Sequence, residues 1–348
     1  MFAKNRHISL KIDTKVKPEF RYAIGATLIM GFTMAFGGQL SFIIPFLSLN
    51  FLSPGTKMPQ LKQAISFVLI VSIASFSSLI FNVLFFNYLL VYIPLLSLIL
   101  FGIFYTTSLS LLSKIFFIIS FLATPVPYPD MNIGSWAIAI TTTLILGSAL
   151  SILVVWVIYA IFPDPKDSVP EKKKNAQINN TSQKERIFNA VSISIVTLPI
   201  VFAFIFFQWN DYILILIYIV IFTMLTDMGK IQGKIKIYGN IIGGIATIIF
   251  YNLIMIVPLF SFFILLYFGT ALLFSSKIFS SKQNSVFYKT GFSTLTLIIG
   301  DISIGTENAS NEIWLRILQI FIAVIYVITV LEIINHYQQK NIKNLTYE

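Results

Sequence analysis

Long apolar runs follow one another along almost the whole chain, and they constrain the fold more than any other feature. Only 11% of the residues are charged, whereas 57% are hydrophobic. A water-soluble domain carries charge on about a quarter of its residues, so this chain lacks the polar groups to cover a surface in water. A helix of about 20 apolar residues matches the thickness of a bilayer. The sequence therefore predicts an all-α integral membrane protein.

Twelve transmembrane segments are predicted, in two halves of six. They cover residues 21–36, 40–53, 61–81, 84–105, 111–124 and 135–162, then 187–207, 211–226, 235–257, 258–275, 286–302 and 312–336. The chain accordingly divides into a basic tail (1–20), membrane half 1 (21–162), a linker (163–186), membrane half 2 (187–337) and a second tail (338–348). The linker contains prolines and the run Glu171-Lys-Lys-Lys174, a composition typical of solvated chain.

Basic residues sort to one side of this predicted topology. Of the 24 Lys and Arg residues, all but Arg316 fall in or beside the tails, the linker and the loops after segments 2, 4, 8 and 10. Membrane segments orient so that basic loops stay in the cytoplasm, which predicts cytoplasmic termini. This sorting accounts for the net charge of +10 without a nucleic-acid partner.

The two halves are predicted to be parallel repeats, related by an axis along the membrane normal. Four pairs of similar residues lie beside equivalent segments of the two halves. The pairs are separated by 165, 173, 175 and 178 residues: Arg21 and Arg186, Lys57 and Lys230, Lys114 and Lys289, Trp136 and Trp314. Segments 2 and 8 are short, and segments 5 and 11 end early at proline or glycine. Short helices at matching positions often line a cavity; misplaced segment boundaries are the alternative explanation.

These landmarks resemble the fusaric acid resistance and aromatic acid exporter superfamily. The resemblance rests on the arginine that opens each half, the short second helix, the basic loop, and a glycine-rich third helix. In half 2 these are Arg186, Asp227-Met-Gly-Lys230 with Lys234 and Lys236, and Gly239-Asn240-Ile-Ile-Gly243-Gly244; half 1 keeps Arg21, Pro54-Gly55-Thr-Lys57 and Lys62 but lacks the glycines. Full-length members carry a sizeable cytoplasmic domain between the halves, whereas this chain has only residues 163–186, like short stand-alone members.

Two groups of charged residues are candidates for transport chemistry. Asp301 ends segment 11, and a protonatable Asp301 paired with Arg316 could couple proton entry to substrate release. Both could instead be ordinary loop charges in the headgroup layer. Asp227 is predicted to share a mixed-charge cytoplasmic loop with Lys230, Lys234 and Lys236. That loop could attract an anionic substrate, or it could simply mark the topology.

The remaining candidates have simpler structural explanations. Gly239 and Gly243, with Gly244 beside them, are spaced for close helix packing. Trp209 is most simply an interfacial belt residue, although it could stack on an aromatic substrate.

The sequence favours transport over catalysis. It contains no phosphate-binding loop, no zinc-protease motif and no nucleophile elbow, so neither ATP hydrolysis nor an enzyme activity is predicted. No cofactor or metal is predicted, since there are no cysteines and only two histidines. The resemblance implies efflux of small organic, often aromatic, anions across the bacterial inner membrane, with a periplasmic membrane-fusion adaptor as partner. A passive anion channel, a major-facilitator-like transporter, and a scaffold or lipid-handling protein are the alternatives; the oligomeric state stays open.

Overall fold

The computed structural model describes residues 17–36, 43–106, 111–123, 133–163, 183–207, 230–280 and 282–301, with seven helical residues between 318 and 333. These ranges form ten helices and no strand: α1 Lys17–Phe36, α2 Ile43–Leu52, α3 Leu61–Phe85, α4 Leu89–Tyr105, α5 Leu111–Ala123, α6 Ile133–Ile161, α7 Gln183–Phe207, α8 Lys230–Ile256, α9 Phe260–Ile278 and α10 Lys282–Asp301. Predicted segment 8 and most of segment 12 lie outside them.

Five helical stretches are long and apolar enough to cross a membrane: Leu61–Phe85, Gly134–Ile161, Ala190–Phe207, Tyr238–Ile256 and Phe260–Ile278. Their outward faces carry large hydrophobic side chains such as Leu146 and Leu273, which are 69% and 71% exposed. Apolar surface on this scale is stable only against lipid. The chain is therefore a multi-pass α-helical membrane protein, as the composition predicted.

Four helices begin four or five residues earlier than predicted. Helix α1 starts at Lys17, α7 at Gln183, α8 at Lys230 and α10 at Lys282. Their extra turns are polar, and residues such as Lys, Gln, Glu and Arg favour helix even outside the bilayer. The predicted loop position of Lys230, Lys234 and Lys236 is therefore wrong, because all three lie on the first two turns of α8.

The helices that sequence analysis placed second and fifth are short. Helix α2 has 10 residues and α5 has 13, or about 15 Å and 20 Å against a hydrocarbon core of about 30 Å. The fifth helix of the second half does not match, because α10 has 20 residues. Its first two turns carry Lys282 and Lys289, so the additional length is polar.

Packing links the two predicted halves through exchanged helices. Helix α1 packs against α9, and α7 packs against α4, so the first helix of each half lies against the fourth helix of the other. Within the halves, α3 packs against α5 and α6, and α8 packs against α10. Two hydrophobic clusters form the core: one consists mainly of α2–α7, and the other joins α1 to α8–α10 together with residues of α2 and α6.

Helices α4 and α9 bury equivalent positions. The buried positions of α4 include Tyr92, Leu96, Leu100 and Ile103, and adding 175 to each number gives Tyr267, Ala271, Ser275 and Ile278, which are four of the five buried positions of α9. The strongly exposed Leu98 and Leu273 obey the same offset. The offset equals the separation of Lys114 from Lys289, so one register relates two consecutive helices of each half.

Candidate functional site at the basic end of α1

The candidate site is built on the first two turns of α1, where a charged residue lies inside the protein. Arg21 is 5% exposed, and it is the only charged side chain among the buried ones that the structure describes. Its Nη1 donates to the backbone oxygen of Phe162 at 3.4 Å. Its guanidinium carbon lies 4.2 Å from the centre of the Tyr159 ring, a cation–π contact. A buried cation in a membrane protein is a functional candidate by default.

The end of α6 holds this arrangement against the α2–α3 loop. The Tyr159 hydroxyl donates to the carbonyl oxygens of Phe51 (3.3 Å) and Thr56 (3.2 Å), and Trp156 Nε1 donates to the Pro59 oxygen at 2.9 Å. Gly55 turns the loop with a φ of 77°, which L-residues rarely adopt. The start of α1, the α2–α3 loop and the end of α6 therefore meet at one end of the molecule.

Tyr22 faces the other half. Its ring centre lies 6.0 Å from that of Phe279 at the end of α9 and 5.7 Å from that of Phe292 on α10. The side chain is fully buried, and its hydroxyl has no hydrogen-bond partner among the described residues. Consecutive helix residues point about 100° apart. Arg21 thus contacts its own half, while Tyr22 contacts the second.

A second polar region lies inside half 1 and is fully bonded. Tyr92 donates to Asn82 Oδ1 at 2.7 Å, and Asn82 Nδ2 donates to the Ser78 oxygen at 2.8 Å. The Ser78 hydroxyl donates to the Ser120 oxygen at 2.7 Å, and the Ser75 and Ser120 hydroxyls lie 3.4 Å apart. Because each of these groups has a partner, the series of hydrogen bonds ties α3, α4 and α5 together and offers no vacant donor for a ligand.

Of the sequence-predicted transport residues, Lys230, Lys236 and Asp301 have a described backbone position. Helices α8 and α10 run parallel, since Gly239 lies beside Phe287 and Gly243 beside Gly291. Lys236 and Lys230 are therefore at one end of this pair and Asp301 at the other, with axial separations of about 25 Å from Lys236 and about 35 Å from Lys230. The side chains of these three residues are outside the described part, as are Asp227, Trp209 and Arg316 altogether.

The three glycines separate into two kinds. An added Cβ at Gly239 would lie 2.7 Å from the Phe287 oxygen, and one at Gly243 would overlap the Gly291 oxygen. A Cβ at Gly244 would meet nothing within 4 Å among the described residues, so Gly244 takes no part in the close contact of α8 with α10. It follows Gly243 by one residue and so points to a different side of α8.

Sequence reasoning missed Arg21, Tyr22 and Tyr159 as site residues. Arg21 was treated as a marker of topology, and the available signal was its position at the first residue of an apolar segment. The burial of Tyr22 and Tyr159 has no comparable signal, since the chain has 15 tyrosines and many of these lie at segment ends.

Fold and site together define a multi-pass α-helical membrane protein with a buried arginine at the basic end of its first helix. The chain matches no protein-family model, no curated protein and no solved structure.

Proposed function

We propose that the chain crosses the membrane twelve times in two parallel six-helix halves. The exchanged packing of α1 on α9 and of α7 on α4 supports this arrangement, because a two-fold axis along the membrane normal converts one contact into the other. The common offset of 175 between buried positions of α4 and α9 supports it independently.

Contacts between helix ends support cytoplasmic termini for half 1. Arg21 at the start of α1 bonds Phe162 beyond the end of α6, so an even number of crossings separates them. Tyr22 lies beside Phe279, which places the end of α9 at the same face. Lys57 and Lys277 belong to segments that end there, which agrees with a basic cytoplasmic side.

Cysteine labelling is expected to place residues 57 and 172 on one face. The chain has no cysteine of its own, so Lys57→Cys and Lys172→Cys each supply one unique thiol. In intact cells a membrane-impermeant maleimide should label neither variant, and it should label both after permeabilisation. Glu307→Cys, in a predicted outer loop, serves as the control and should react in intact cells. Labelling of Lys57→Cys and Lys172→Cys from opposite faces would refute the duplicated topology.

We further propose that the protein is an efflux component of the bacterial inner membrane for small organic, chiefly aromatic, anions. The observation that carries this proposal is the buried Arg21 guanidinium. It is held near the start of α1, beside the contact between the halves. A cation out of water attracts an anion strongly there, because the local dielectric is low. The absence of a phosphate-binding loop from the sequence favours an ion gradient as driving force. The resemblance to the aromatic acid exporters implies a periplasmic adaptor as the proposed partner.

Transport is tested in cells lacking their own aromatic acid efflux. Cells that express the protein should lose preloaded substituted benzoates faster than vector controls, and the rate should fall when the proton gradient is collapsed. Gradient-independent currents would instead favour the passive channel. No movement and no resistance across the benzoate panel would remove the transport proposal.

Arg21→Met is expected to lower benzoate efflux at least about tenfold while the protein stays folded, because methionine keeps much of the apolar stem but removes the cation. Lys62→Met is the matched control. It removes the same charge from an exposed residue at the start of α3 and should transport normally. Initial efflux rates and melting temperatures of both variants are the measurements. Wild-type rates in Arg21→Met would show that the guanidinium only caps α6.

A further inference from the structure

We propose that the contact of α1 with α9 and α10 is a gate between the halves, and that Tyr22 is its ligand-binding residue. When the gate opens, the Tyr22 hydroxyl donates to an oxygen acceptor, supplied by the transported anion or by water that enters with it. This inference rests on the proposed transport function.

The unpaired hydroxyl is the first observation. Tyr22 is fully buried, and its oxygen has no partner among the described residues. Buried polar groups are almost always bonded, and an exception calls for a physical explanation. An unpaired buried hydroxyl disfavours the arrangement that buries it by about tenfold. The unpaired hydroxyl of Tyr22 therefore lowers the stability of the closed contact of α1 with α9 and α10.

Comparison with two other tyrosines shows that full burial by itself does not leave a hydroxyl without a partner. Tyr92 and Tyr267 are also fully buried. Tyr92 donates to Asn82 Oδ1 at 2.7 Å, and Tyr267 shares a hydrogen bond of 2.7 Å with Thr296. Both of these bonds join helices within one half. Of these three fully buried tyrosines, Tyr22 is the one whose hydroxyl lacks a partner among the described residues, and it lies between the halves.

The surroundings of Tyr22 do not supply the acceptor. Its ring contacts the rings of Phe279 and Phe292, which are apolar. Farther along α1 the two halves are in close contact, since an added Cβ at Gly31 would lie 2.6 Å from Ile264 of α9. Separation of α1 from the second half would open a path by which an acceptor reaches the hydroxyl. The phenyl rings then offer an apolar wall beside the hydroxyl, and Arg21 lies on the adjacent residue of α1.

Tyr22→Phe tests the unpaired hydroxyl directly. The variant keeps the ring and removes the oxygen, so we expect a melting temperature equal to or above that of the wild type. Tyr92→Phe and Tyr267→Phe each remove a bonded hydroxyl and should melt lower. Benzoate efflux by Tyr22→Phe should fall about tenfold, because the open form loses its hydrogen bond. A melting temperature as low as those of the controls would overturn the proposal, since it would show that the hydroxyl is bonded in the closed form.

Thiol accessibility tests the opening itself. In membranes that contain the full chain, a small hydrophilic methanethiosulfonate should label Tyr22→Cys at least about tenfold faster than Tyr92→Cys, which is buried inside half 1. Benzoate that slows labelling identifies the anion as the acceptor, and labelling without protection identifies water; either result supports the gate. Equal and negligible labelling of both variants overturns it. Labelling of Tyr22→Cys in a protein that moves no benzoate would preserve the gate and reject the proposed substrate class.

Discussion

Gly243→Ala is expected to lower the free energy of unfolding by about 2–3 kcal/mol and the melting temperature by about 5 °C. The new methyl group would overlap the Gly291 carbonyl oxygen and lie 2.7 Å from Thr294 Cβ. The nearest atom belongs to backbone, so rotation of a side chain cannot relieve the overlap and α8 must move away from α10. Thermal unfolding of the purified protein in detergent measures the effect.

Gly244→Ala is the matched control for this prediction. It makes the same chemical change one residue later, where the added methyl would meet nothing within 4 Å among the described residues. Its melting temperature should equal that of the wild type. Equal destabilisation by the two variants would mean that glycine acts through backbone flexibility rather than through the α8–α10 contact.

Asn82→Ala is expected to destabilise the protein by about 3 kcal/mol. The side chain is fully buried, accepts the Tyr92 hydroxyl at 2.7 Å and donates to the Ser78 oxygen at 2.8 Å. Alanine would leave the Tyr92 hydroxyl without its acceptor and open a small cavity between α3 and α4. Water cannot compensate for the lost hydrogen bond or fill the cavity at this buried site. Thermal unfolding should therefore measure the two losses of stability together.

Asn252→Ala and a double variant separate the causes. Asn252 is exposed on α8 and bonds only the Ile248 oxygen one turn earlier, so its loss should change stability little. In Asn82→Ala with Tyr92→Phe no hydroxyl is stranded, so the double variant should lose less than the sum of the two single variants. Additive losses would show that the Tyr92–Asn82 hydrogen bond contributes nothing to stability.

Several features followed from local sequence. Within the described residues the apolar runs predicted helices in the right places, and the breaks between α3 and α4 and between α8 and α9 fell within a few residues of the observed turns. The predicted helix starts were late at α7 and α8, because hydropathy marks where lipid begins and not where the helix begins. Lys230 illustrates the difference, since it is helical but polar.

The candidate site was less predictable. Arg21 was visible as a charge beside an apolar segment, but its burial depends on Tyr159 and Phe162, which lie almost 140 residues later. The two close-packed glycines were recognisable from their spacing, whereas Gly244 was assigned to the same contact only because it is adjacent. Spacing alone does not say which side of a helix meets a neighbour.

The sequence by itself determined that this is a membrane protein. Burial of a segment in lipid depends on the summed hydropathy of that segment and not on which segments lie beside it. The tertiary structure alone decided that α1 lies on α9, that Arg21 is buried, and that Tyr22 lacks, among the described residues, the partner that Tyr92 and Tyr267 possess. These features depend on which helix faces meet. In lipid such contacts are chosen by close packing and hydrogen bonds between residues far apart in the chain.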